Sequence, residues 1–130
     1  MGPGACDRCL VVDEDSLTRG ALVHFLEMRC RDARSVGTGE LALALLREWP
    51  VDLLITDIRL PGMDGLELAT RCQNLRHRPG IILMIAKEAP PLGPRVKPLG
   101  VIGVIEKPLN LDSLATLMTG VQPHRGRAST

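Results

Sequence analysis

The chain has 130 residues, enough for one domain around one core. Hydrophobic residues make up 45% of it and charged residues 24%, which excludes a disordered tract. The formal net charge is +1, with one Trp, one Phe and no Tyr. This argues against direct nucleic-acid or membrane binding, because neither charge sign dominates and no aromatic platform exists for bases.

Met1–Arg8 carries no apolar run of the signal-peptide type, and no stretch approaches the length of a membrane span. A cytoplasmic, reducing setting is therefore expected. Cys6-Asp7-Arg8-Cys9 is a C-x-x-C, yet it precedes a strand and no second ligand pair follows it. Free thiols are expected, with Cys9 buried as a small hydrophobe. His24, His77 and His124 have no metal-ligand spacing and read as surface residues.

Residues 1–7 read as a tail. Cys9–Val12 (CLVV) reads as a buried strand ending in acids. Leu17–Met28 follows as a helix, with Leu17, Ala21, Leu22, Phe25 and Leu26 at helical spacing. Arg34–Val36 is a weak strand. Thr38 can cap the next helix, whose apolar stripe is Leu41, Ala44 and Leu45, and Pro50 lies just past its end. Val51–Thr56 (VDLLIT) is a second strong strand, closed by Asp57. Leu60–Gly65 is a loop by its Pro and Gly content, and Leu66–Leu75 is helical. Ile81–Ala86 (IILMIA) and Val101–Ile105 are further strands. Asn110 caps a last helix, Leu111–Met118, and Gln122–Thr130 is a polar tail. Five strands alternating with helices predict an α/β fold, a doubly wound parallel sheet covered on both faces.

In such sheets, ligands sit beyond the carboxyl ends of the strands. The first strand ends in Asp13-Glu14-Asp15, the third in Asp57, and the fifth in Glu106-Lys107-Pro108. Like charges gathered there need a counter-charge. Mg2+ suits such a set, because it takes oxygen ligands, uses few carboxylates and keeps several waters. A carboxylate beside the ion can accept a phosphoryl group as an acyl phosphate, and a Lys ammonium balances the charge on its oxygens. The reading makes Asp13 and Glu14 the metal holders, Asp57 the nucleophile and Lys107 the counter-charge.

At these residues the chain resembles the receiver domain of two-component response regulators. Leu10–Asp15 is similar to the family's first strand and acidic pair. Leu53–Gly65 (LLITDIRLPGMDG) closely matches its phosphoacceptor segment, and Glu106-Lys107-Pro108-Leu109 matches its Lys and following Pro. The resemblance runs from about Arg8 to Val121, giving a receiver domain over 8–121 with a tail over 122–130. It implies a flavodoxin-like sheet of strand order 2-1-3-4-5. It also implies a histidine kinase or histidine phosphotransfer protein as donor to Asp57. The implied metal set is Mg2+ on Asp13 or Glu14, Asp57 and the backbone carbonyl of Arg59. Lys107–Pro108 would be cis. Output, and a homodimer, would use the face made by the fourth helix, fifth strand and fifth helix. The role implied is a signalling switch rather than an enzyme.

The chain departs from that pattern in one region. The fourth strand of the family ends in Thr or Ser, whereas Ile85 stands here. An aromatic residue on the fifth strand is replaced by Val104. The fourth helix should fall at Glu88–Leu99 (EAPPLGPRVKPL), but an interior Pro costs about 3 kcal/mol. Pro94 and Pro98 therefore predict a short or unwound segment. Arg59 and Lys87 occupy the positions that, by the resemblance, tune the lifetime of the acyl phosphate.

Two rivals remain at this stage. One is an interaction module without phosphotransfer, to which the missing switch residues point. The other is a haloacid-dehalogenase-type phosphatase using Asp13, suggested by the D-x-D after the first strand. Thr56 and Lys107 resemble its later motifs, but the chain is short, Leu17 stands where Thr or Val is usual, and no later acidic pair is read. Past Leu117 no output domain is read, so the chain would be a stand-alone receiver or a fragment of a longer regulator.

Overall fold

The computed structural model describes residues 6–119. The expected tail at 122–130, most of that at 1–7, and His124 lie outside them. The five strands are β1 (Cys6–Val12), β2 (Cys30–Val36), β3 (Leu53–Asp57), β4 (Gly80–Ile85) and β5 (Val101–Glu106). Four α-helices connect or follow them: α1 (Ser16–Glu27), α2 (Gly39–Glu48), α3 (Gly65–Cys72) and α4 (Leu111–Met118). A 3-10 segment, Gly93–Leu99, stands between β4 and β5. The sheet is parallel throughout, with order β2-β1-β3-β4-β5, as expected.

Alternation along the strands divides the core in two. Cys9, Val11, Leu53, Ile55, Ile82 and Met84 face Leu22 and Leu26 of α1 and Leu114 and Met118 of α4. Leu10, Val12, Leu54, Ile81 and Leu83 face the other way, toward α2, α3 and Val96 of the 3-10 segment. A strand buried on both faces must be apolar at successive positions, which is why these strands read as continuous apolar runs.

Side-chain caps set the helix starts. Asp15, Thr38, Asp64 and Asn110 accept from the backbone N–H of Leu17, Leu41, Glu67 and Ser113 respectively. The Pro-rich segment winds as the expected short, irregular element. Pro98 lies inside it, and Gly100 ends it with φ 79°, a left-handed conformation suited to glycine.

Several sequence expectations are corrected. Strand β1 begins at Cys6 and β2 at Cys30, because a parallel ladder from Cys6↔Cys30 to Val12↔Val36 satisfies backbone groups even where the side chains are polar. Helix α2 buries Gly39, Ala42, Leu43 and Leu46 and leaves Leu41 58% exposed, so the predicted stripe was rotated. Gly39 sets the rotation: a Cβ there would sit 2.9 Å from the Met63 carbonyl oxygen, so the helix face that begins at Gly39 turns inward. Cys9 and Cys72 are free and buried, as read for Cys9, but Cys30 is disulfide-bonded. The β1–β2 register brings the backbone of Cys6 opposite Cys30. Among the described residues no helix is long and apolar enough to cross a membrane.

Candidate functional site: an acid cleft at the carboxyl edge of the sheet

The parallel sheet sends the ends of β1, β3 and β5 to one edge, and there the predicted residues meet. Asp13 follows β1 directly and is 1% exposed; its N–H donates to Val36 O at 3.2 Å, which continues the ladder. Asp57 is the last residue of β3 and is 9% exposed. Lys107 follows β5, and its N–H donates to Ile85 O at 2.8 Å. The Lys107–Pro108 bond is cis, as the family resemblance implied.

One ammonium group joins the two carboxylates. Lys107 Nζ donates to Asp13 Oδ2 and to Asp57 Oδ2, both at 2.8 Å. The remaining oxygens are held by backbone: Asp15 N–H donates to Asp13 Oδ1 at 2.9 Å, and Arg59 N–H to Asp57 Oδ1 at 3.2 Å. Burial alone lowers the pKa of the Lys107 ammonium. The hydrogen bonds and charges of Asp13 and Asp57 overcome that effect, and the net shift is upward. Two carboxylates and one ammonium leave the cleft with one uncompensated negative charge.

The other predicted residues occupy the rim. Glu14 is exposed and lines an open depression with Ile58, Arg59, Leu60, Pro61 and Asp64. Lys87 is exposed, Ile85 is half-buried, and Val104 is exposed on the edge strand. Among the described residues, no group of three His, Cys, Asp or Glu side chains converges to hold a metal. Asp13 and Asp57 alone form the shared carboxylate pair. The pair still fits a small hard cation. Its donors are all oxygen, its net charge is negative, and the ammonium of Lys107 already bridges it.

Sequence reading missed three contributors. Arg19 Nη1 donates to the Asp13 carbonyl at 2.6 Å and so pins the loop that carries the acids to α1. Nothing in the local pattern marks Arg19, because the contact depends on the tilt of α1. Gly65 opens α3 where a Cβ would collide with the Asp57 carbonyl and lie 2.8 Å from Ile58 Cα, so α3 can start against the end of β3 only with glycine. The third is an apolar patch beside Lys107. Leu111 is exposed there; Leu17, grouped by helical spacing with the apolar face of α1, is 82% exposed. A recess of about 310 Å³ lined by Ala21, Leu22, Pro108, Leu109 and Leu111 adjoins the cleft.

Comparison with known proteins agrees with this architecture. The family model described as "Response regulator receiver domain" matches residues 9–119. The heme response regulator HssR of Staphylococcus aureus (strain bovine RF122 / ET3-1) is 37% identical over 82 residues, which are 63% of this chain and 36% of that protein. The chain thus spans about a third of the length of the curated relatives it matches. A crystal structure of a response regulator receiver protein from Pseudomonas putida superposes with a TM-score of 0.74 at 28% identity, covering 85% of this chain and 93% of that one. The Saccharomyces cerevisiae complex of the histidine phosphotransfer signaling protein Ypd1 with the receiver domain of Ssk1 gives a TM-score of 0.74 at 19% identity. It covers 87% of this chain and 86% of the other, and shares the fold. The D-x-D phosphatase reading has no support in these matches. A parallel sheet of order 2-1-3-4-5, an acid pair bridged by a lysine at its carboxyl edge and a family match across nearly the whole described chain agree: this protein belongs to the response regulator receiver domain family.

Proposed function

We propose that the chain is the phosphoacceptor module of a two-component pathway and that Asp57 receives the phosphoryl group. The observation that carries this is the double contact of Lys107, at 2.8 Å, with the carboxylates of Asp13 and Asp57. In the reaction, an Asp57 carboxylate oxygen attacks phosphorus. The bond from phosphorus to the donor histidine nitrogen breaks, and the nitrogen keeps the electron pair. For this the Lys107 ammonium must leave its carboxylate contact and pair with a phosphoryl oxygen, where its compact charge is most useful. The Arg59 N–H stays on the other Asp57 oxygen and orients the carboxylate.

Mg2+ is the proposed cofactor, held by Asp13 and Asp57, with Glu14 and the Arg59 carbonyl completing the set. When bound it supplies the positive charge that lets an anionic carboxylate approach an anionic phosphoryl group. Arg59 and Lys87 are the residues proposed to tune how long the acyl phosphate lasts.

The donor is a histidine kinase or histidine phosphotransfer protein. The exposed Leu111 and the recess it shares with Lys107, Pro108 and Leu109 provide an apolar seat for it. A homodimer through the 3-10 segment, β5 and α4 is part of the reading, since Ile102 and Val104 are exposed on the edge strand. The switch is atypical: Ile85 and Val104 supply neither hydroxyl nor aromatic ring. The domain spans 8–121 and acts in the cytoplasm as a signalling element rather than an enzyme. Reduction of the Cys30 disulfide there leaves the cleft intact, because Cys30 starts β2 at the opposite end of the sheet from Asp57.

Incubation with acetyl phosphate and Mg2+ tests the reading. Mass spectrometry should show one phosphoryl adduct that is absent in Asp57→Asn. An adduct on Asp13, or one that persists in Asp57→Asn, overturns it. The rival, an interaction module without phosphotransfer, is favoured by the missing hydroxyl at Ile85. A folded protein that takes no phosphoryl group at all decides for that rival.

A further inference from the structure

The irregular fourth helical segment opens a recess of its own. Between the end of β4, the start of α3 and the loop before the 3-10 segment lies a cavity of about 400 Å³. That volume is in the range of small-molecule sites, about 300–1,000 Å³. Its walls are apolar, formed by Ile58, Leu66, Ile85, Ala89, Pro90 and Leu92. A regular helix over Glu88–Leu99 would change this loop, but Pro90, Pro91 and Pro94 exclude one.

Three charged residues also line it: Arg59, Arg95 and Glu88. Among the described residues neither guanidinium makes a hydrogen bond or ion pair, whereas Arg19 is tied to the Asp13 carbonyl and Arg71 to Glu67. Two guanidiniums against one carboxylate leave the recess with one positive charge. The guanidinium fork matches a carboxylate bidentately, and apolar walls reward burial of a hydrocarbon body.

We infer that this recess binds a small organic anion with an apolar body and one carboxylate head, seated between Arg59 and Arg95. Arg59 gives the site its reach. It lines the recess while its backbone N–H holds Asp57 Oδ1 at 3.2 Å. An occupant therefore acts on a residue that also touches the acceptor carboxylate.

Octanoate is the probe, with octan-1-ol as its uncharged counterpart, titrated into the 15N-labelled chain and followed by amide NMR. Octanoate should give saturable shifts at Ile58, Arg59, Ile85, Ala86, Leu92 and Arg95. Octan-1-ol, and octanoate on Arg95→Ala, should each bind about tenfold more weakly, the effect of one charge-assisted hydrogen bond. Arg95 is exposed, so its removal leaves the fold in place. Equal affinity for the alcohol, unchanged affinity in Arg95→Ala, or shifts confined to the recess at Leu22, Leu109 and Leu111 would overturn the inference. Binding is read without phosphorylation, so its failure leaves the Asp57 reading standing, and the converse holds.

Discussion

Replacing Lys107 with Met removes the single cation between two nearly buried carboxylates while keeping most of the aliphatic stem. Each lost contact is a charge-assisted hydrogen bond of 2.8 Å, a class worth about 1.5–3 kcal/mol. The Lys107 side chain is 30% exposed, so solvent screening puts both contacts at or below the lower end of that range. Asp13 and Asp57 then face each other without compensation, which adds to the cost. The expected destabilisation is about 2–3 kcal/mol. Urea unfolding in EDTA should show it as a midpoint lowered by roughly 1–2 M with an unchanged m-value. Two controls follow from the same geometry. Millimolar Mg2+ should stabilise Lys107→Met more than the parent chain, because the ion no longer competes with the ammonium. Adding Asp57→Asn to Lys107→Met should recover stability by removing one of the two repelling charges. A Lys107→Met chain as stable as the parent in EDTA, or a double variant no more stable than the single one, would refute the reasoning.

Alkaline pH should destabilise the fold through three groups with the same sign: the thiols of Cys9 and Cys72, both pushed up by burial, and Lys107. Burial pushes the Cys72 thiol up to about 12, so from about pH 9 the unfolded chain loses that proton while the folded chain keeps it, and stability falls as pH rises. Lys107, raised in the folded state, contributes stability that is present below its unfolded pKa and lost as pH climbs through the folded one. Cys72→Ala should flatten the fall of the urea midpoint between about pH 9 and 12, and Lys107→Met the part above about pH 10.5. Arg19→Met should cost about 1–2 kcal/mol by urea unfolding, the loss of a charged donor from the Asp13 carbonyl. The variant should also slow acetyl-phosphate labelling, because the acidic loop loses its tether to α1. Gly65→Ala places a methyl group against the Asp57 carbonyl and Ile58 Cα, which are backbone atoms that cannot step aside. The expected cost is about 1–3 kcal/mol, with amide shifts centred on Asp57 and Ile58; a silent variant would mean that α3 does not press on the end of β3.

Much of this protein was legible in its residues alone, for a local reason. Runs such as VDLLIT and IILMIA are strands because a doubly covered sheet requires consecutive apolar positions. Asp13, Asp57 and Lys107 were identified because polar residues ending such runs must emerge at one edge of a parallel sheet. The prolines of Glu88–Leu99 likewise announce a broken helix through fixed φ and missing donors. Tertiary structure decided what depends on rotation and distance between remote segments. It turned α2 on Gly39 rather than along Leu41, left Leu17 in solvent, and set Arg19 on the Asp13 carbonyl. It also brought Lys107 onto carboxylates 94 and 50 residues away in the chain. No periodicity encodes such contacts, because they arise only when layers of fixed thickness stack and each side chain takes the space its neighbours leave.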